Sequence, residues 1–304
     1  MVRLLPVLGC SLLCFSCLPA DTRTPPGKLT MTVSPSDATL HGFTTVDGWA
    51  VQFERVLVGI GHTGLGPDCT NYSEARYYRL LDLSAGSGQT LSFLYGLGSC
   101  DVVFRIAPPD ADLVRGQGVT SEDEMYMRTA GTDSFFSDAG VALDVKGSAV
   151  RDGTTESFHW TFRQSIRFSD CEVIENGQLM AGVTLRSDEA STYDIVLETE
   201  ALFRDSVDPA QASLHFDHFA AADLTFGNGD GIVSLDEIAQ VPLVISAPSS
   251  ESDAASHIQM WSAPDGGSTS PDRVTLEHFV YLLLVPTMPR FRGVGHCINH
   301  PRNN

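Results

Sequence analysis

Apolar and polar residues alternate with a period of two from Thr30 to about residue 205, and that spacing predicts a succession of short β-strands. The clearest stretch is Ser157 to Phe168. Phe158, Trp160, Phe162, Ile166 and Phe168 fall on one face, and His159, Thr161, Arg163, Ser165 and Arg167 fall on the other. That is the pattern of a half-buried antiparallel strand. Upstream, Val141, Leu143 and Val145 alternate with Ala142, Asp144 and Lys146. Arg151-Asp152-Gly153-Thr154 lies between the two runs and supplies the Asp-Gly pair that a tight hairpin favours. Further strands are expected at Cys100 to Ile106 and Trp49 to Ile60. In the latter the apolar phase moves from Val51 and Phe53 to Val56, Val58 and Ile60, which places a bulge near Glu54-Arg55. Tyr77–Leu83, Gln89–Leu94, Leu179–Leu185 and Thr192–Leu197 complete the set. About eight short strands separated by turn signals imply a sandwich or barrel. The expected class is mainly β: an antiparallel β-sandwich over residues 30–205 with a small extension over 206–304.

The pattern changes after Asp205. Gln211 to Asp223 is alanine-rich and loses strict alternation, and Ser246 to Gly267 has the serine, aspartate and glycine content of a mobile loop. Ser270-Pro271-Asp272 reads as an N-cap, a first-position proline and an acidic first turn. Val274, Phe279, Val280, Leu283 and Leu284 follow at helical spacing until Pro286. Gly59-Ile60-Gly61-His62-Thr63-Gly64 is glycine-rich but leads into no expected helix, so it reads as a loop leaving a strand and not as a phosphate cradle.

The N-terminal residues change the picture from fold to address. Met-Val-Arg precedes an apolar run from Leu4 to Cys17, which has the layout of a secretory signal over residues 1–16. The run is shorter than the roughly 20 residues a spanning helix needs. Ser16-Cys17 best fits a lipid-attachment site, with residues 17–29 (Pro25-Pro26 among them) as anchor and tether. Ordinary cleavage after Ala20 is the alternative. Leu18 stands where an aspartate would argue for the inner membrane, which favours the outer membrane or periplasm. The net charge of −19 excludes nucleic-acid binding through phosphate contacts. The expected partners are a membrane, through the lipid, and an envelope protein or polysaccharide. Four body cysteines, Cys69, Cys100, Cys171 and Cys297, suit two disulfides in an exported chain. Three connectivities are open, with Cys69–Cys100 and Cys171–Cys297 favoured.

One stretch carries metal chemistry. Asn228-Gly229-Asp230-Gly231-Ile232-Val233-Ser234-Leu235-Asp236-Glu237 matches most of an EF-hand loop. Asn228, Asp230, the Ile232 carbonyl, Ser234 and Glu237 take ligand places for Ca²⁺. The first ligand is missing, because Phe226 stands at its position. Asp223 could replace it only if Leu224 to Gly227 looped out. The same residues also make a plain turn followed by a Ser234/Glu237 capping box.

His215, His218, His296 and His300 are a second set, suited to copper or zinc. There is no G-x-S-x-G and no H-E-x-x-H, so no catalytic constellation is expected and the chain reads as a non-enzyme. Several features recur together. They are the anchor cysteine, the Trp49–Ile60 strand, an aromatic strand leading to Cys171, and a Tyr193-to-Phe203 strand ending Leu-Phe-Arg-Asp. The Ala-Ala-Asp stretch before Asn-Gly-Asp-Gly, and the terminal Gly293-Val294-Gly295-His296-Cys297, complete the series. In that order the chain resembles a family of secreted lipoproteins from myxobacteria and related bacteria. The resemblance implies export, a β-rich body and a calcium-type loop, but no established activity. The expected function is a cell-envelope lipoprotein of binding or structural type; the alternative is a periplasmic transition-metal binder.

Overall fold

The computed structural model describes residues 23–67, 69–86, 88–243 and 274–301. The signal run, Cys17, the 246–267 loop and the Ser270-Pro271-Asp272 cap lie outside them.

The period-two pattern is realised as a mainly β fold. Among the described residues, a six-stranded and an eleven-stranded sheet enclose one hydrophobic core. The smaller sheet runs in the order Val183–Leu185, Gln89–Cys100, Gly27–Pro35, Ala190–Leu197, Pro289–Phe291, with Thr70–Arg76 also on Gln89–Cys100. The larger is built along Ala50–Leu65. Val58 pairs with Leu143 and Ile60 with Ile106, so two partner strands follow one another along this long strand.

That arrangement explains one departure from the expected pattern. Ser157–Phe168 is not a single strand: Thr154–Phe162 stops, and Ile166–Glu175 resumes after three residues. The alternation survives because Phe162 pairs with Leu143, while Ile166 pairs with Ile106. At the break, the Arg163 N–H donates to the Tyr281 hydroxyl at 2.6 Å.

Other expectations hold locally. The register slips between Phe53 and Arg55, where the phase shift places the bulge. Asp152 and Gly153 both have positive φ, as a two-residue hairpin turn requires. Both favoured disulfides, Cys69–Cys100 and Cys171–Cys297, are formed. Disulfides persist in oxidising compartments, so the body belongs to an exported protein. No helix of the described residues is long and apolar enough to cross a membrane.

Four details are corrected. The sheets are mixed rather than purely antiparallel. Gly27–Pro35 runs parallel to Ala190–Leu197, Tyr78–Asp82 to Leu113–Arg115, and Ile232–Val233 to Thr154–Phe162. Such pairs need long crossovers, which a local alternation pattern does not report. Gly59 to Gly64 is no loop but the continuing strand. A Cβ at Gly59 would strike the Ala107 carbonyl and one at Gly61 the Tyr78 ring and backbone, so the glycines permit close strand packing. The Tyr193-to-Phe203 strand ends at Leu197, and Thr199–Phe203 is a buried 3₁₀ turn. The C-terminal apolar run is capped by Thr275, whose hydroxyl accepts the His278 N–H. It then winds as a π-helix over Phe279–Leu284.

Two short helices flank the polar clusters of the molecule. Ser121–Arg128, a helix the sequence pattern did not predict, is capped by a Thr120/Asp123 capping box. Asp217–Phe226 packs Phe219 against Trp160, ring centroids 5.1 Å apart, and Phe203 lies 5.5 Å from both Phe158 and Trp160. Burying rings of this size contributes about 1.5–3 kcal/mol each. The helix and the sandwich therefore share one aromatic core.

Candidate metal loop

The acidic stretch lies where the helix Asp217–Phe226 returns to the sheet. Gly227 closes the helix, donating to the carbonyls of Ala222 and Asp223, and the chain doubles back over the helix end. Leu224 to Phe226 stay helical, so the looping-out that would let Asp223 stand in for the first ligand does not occur. The turn brings the loop to Asp223 instead. Its buried carboxylate accepts the Gly229 N–H through Oδ1 and the Gly231 N–H through Oδ2, each at 3.0 Å. Gly229 and Gly231 have φ of +66° and +77°, which favours glycine at both positions.

The remaining expected ligands are also turned to N–H groups of the loop. Asn228 Oδ1 accepts from Asp230, and Asp230 Oδ1 accepts from Ile232. Ser234 and Glu237 form the capping box of the short helix Leu235–Ile238, with Glu237 Oε2 accepting the Ser234 N–H at 2.8 Å. A Cβ at Gly227 would collide with the other Glu237 oxygen, so both helix ends close on the same carboxylate. Ile232 carries an exposed side chain, and Val233 is fully buried.

The short strand Ile232–Val233 docks the loop on the sheet. Ser157 N–H donates to the Gly231 carbonyl at 2.8 Å, and Trp160 Nε1 donates to the Val233 carbonyl at 2.9 Å. One residue before Ser157 lies Glu156, which stands outside the loop motif and is not marked by it. It is only 4% exposed, and its buried Oε2 has no hydrogen-bond partner among the described residues. Burial raises its pKa, and so do the charges of Asp223, Asp230 and Glu237. Its signal was readable in the sequence all the same: an acid stands at an inward position of an aromatic strand.

Among the described residues, no three His, Cys, Asp or Glu side chains are grouped to hold a metal ion as they stand. His215 lies beside Asp205 and Asp47, and its ring is 6.4 Å from that of His218. His218 is held below the usual imidazole range by burial and by His215. His300 bonds to Ser169 and His296 lies 4.0 Å from Glu172, both on the strand His296–Pro301.

A second polar cluster covers the outer face of the large sheet. Asp144 is nearly buried; Tyr126 donates to it at 2.9 Å and His159 Nε2 lies 2.7 Å from it. Arg55 bridges Asp123 at 2.6 Å and Asp82 at 3.2 Å. Arg55, Asp123, Tyr126, Asp144 and His159, with Lys146, line a recess of about 210 Å³. Tyr126 and Asp123, from the helix Ser121–Arg128 and its cap, bond to Asp144 and Arg55 of the sheet, so the cluster clamps the helix to the sheet.

Comparison with protein-family models, with curated proteins and with solved structures found no match.

Proposed function

We propose that this chain is an exported cell-envelope lipoprotein of binding or structural type, anchored through Cys17, whose 223–237 loop takes up Ca²⁺. The observation that carries the calcium reading is the bond from Gly231 N–H to Asp223. Asp223 takes up the loop where a first-position aspartate is missing. Asn228, Asp230 and Glu237 have the sequence spacing of an oxygen-ligand loop, in which Glu237 would offer two oxygens. Calcium is the hard cation such oxygens select. The two disulfides and the proline-containing tether support export and anchorage, and they agree with the lipoprotein resemblance. The cation would fix the junction between the helix Asp217–Phe226 and the sandwich.

Thermal unfolding with and without Ca²⁺ tests the metal. The intact protein should melt higher in millimolar Ca²⁺, and Glu237→Ala should remove the difference. Absence of any calcium shift, or stoichiometric copper or zinc in protein purified without chelators, overturns this reading. The anchor is tested separately: Cys17→Ser should abolish fatty-acid labelling and release the protein from membranes.

A further inference from the structure

We infer that Glu156, on the strand Thr154–Phe162, is a ligand of the cation held by the 223–237 loop, so that the ion ties the loop and its two helices to the sandwich. The inference rests on the calcium reading of that loop and adds a residue from a different part of the chain, outside any linear loop pattern.

Glu156 has no structural occupation that explains it. It sits at 4% exposure within an otherwise apolar face, next in the inward series to Phe158 and Trp160. A buried carboxylate oxygen without a donor has lost its hydration with nothing in return. Burial and three other carboxylates act on Glu156, and no cation appears among the charges that do. Its Oε2 is 3.9 Å from the point where a side chain on Gly231 would begin, so it faces the loop at the residue Asp223 holds. The backbone fixes this approach: Ser157 N–H bonds the Gly231 carbonyl, and Ser157 pairs in register with Ile232. Asp223, Asp230 and Glu237, from a helix end, a turn and a second helix, thus lie near enough for their charges to act on Glu156 on the sheet, and a bound ion would draw the four together.

The three loop carboxylates repel Glu156, so in the apo fold its charge is worth less than a neutral isostere would be. A divalent cation reverses that sign. Glu156 would supply the carboxylate that Phe226 denies to the first position, and the number of charged ligands is what sets calcium affinity in such loops.

The experiment is calcium titration by calorimetry on the intact protein, its Glu156→Gln variant and its Glu237→Gln variant, with melting temperatures in chelator and in calcium. Glu156→Gln keeps the side-chain volume and removes the charge. The apo melting temperature should be unchanged or raised, and calcium affinity should fall on the order of tenfold or more. Circular dichroism matching the parent excludes misfolding as the cause. If the intact protein binds no calcium, the loop reading fails and this inference with it. If it binds calcium, Glu237→Gln weakens binding and Glu156→Gln binds as tightly as the parent, only the Glu156 assignment is overturned. A Glu156→Gln variant that melts lower without calcium and binds with parental affinity also overturns it, by giving Glu156 a purely structural role.

Discussion

Trp160 Nε1 donates a hydrogen bond to the carbonyl oxygen of Val233 at 2.9 Å, and both residues are fully buried. The central aromatic residue of the sandwich is therefore bonded directly to the strand that ends the acidic loop. Any change of loop geometry must be transmitted to the core, or this bond must break.

Trp160→Phe keeps one aromatic ring at the site, and deletes the donor together with part of the indole volume. The Val233 carbonyl loses its side-chain donor, which should cost about 1–3 kcal/mol in denaturant unfolding. Amide exchange should rise in residues 229–238 more than in the strand Ala50–Leu65. Uniform exchange changes across both segments would show that the bond does not hold the loop specifically.

Asp223→Asn tests the clasp within the loop. The carboxylate accepts two glycine N–H groups. An amide offers one oxygen and turns an NH₂ group towards the second donor, so a loss of about 1–3 kcal/mol is expected. Parental stability would mean that Gly229 and Gly231 are satisfied without Asp223.

The Arg55 clamp gives a pH dependence with a definite sign. Burial acts to raise Asp123, but hydrogen bonds from Thr120 and the Arg55 guanidinium outweigh it and hold the carboxyl below its ordinary value. A depressed folded-state pKa contributes stability above the unfolded value of about 4, and that stability is lost as pH falls through the folded value. Arg55→Gln should therefore melt lower than the parent at pH 7, and the gap should narrow progressively below about pH 4. A gap that stays constant down to pH 2 would contradict the ionic origin.

The Cys171–Cys297 disulfide closes a separation of 126 residues. Chain-entropy reasoning gives a stabilisation of about 5 kcal/mol for a loop of that size. The paired Cys171→Ser, Cys297→Ser variant should lose most of this. Protection should disappear first from His296–Pro301, which pairs with Ile166–Glu175 next to the bridge. Calcium affinity should be unaffected, because the loop docks on the other end of this sheet.

Much of the β body was legible residue by residue. Phe158, Trp160 and Phe162 alternate because one face of a strand is dry, and the Phe53-to-Val56 phase slip is the bulge itself. The helix Ser121–Arg128 was missed, because its apolar stripe is weak. Of the candidate loop, the glycines at 229 and 231 and the Ser234/Glu237 box were readable, since turn dihedrals and caps are local demands.

What the sequence by itself determined is therefore set by short-range physics: strand periodicity, turn chemistry, helix caps and an even complement of body cysteines. The tertiary structure alone decided the parallel pairings, the continuation of the strand through Gly59 to Gly64, and the docking of the Asp223-held loop beside Glu156. Those outcomes depend on which distant segments share an edge. That choice is made by burial of the whole apolar surface and by backbone pairing across more than sixty residues, as between Ser157 and Ile232. Trp160 and Val233 carry no mark of one another in the sequence, because their bond forms only once the core has placed them together.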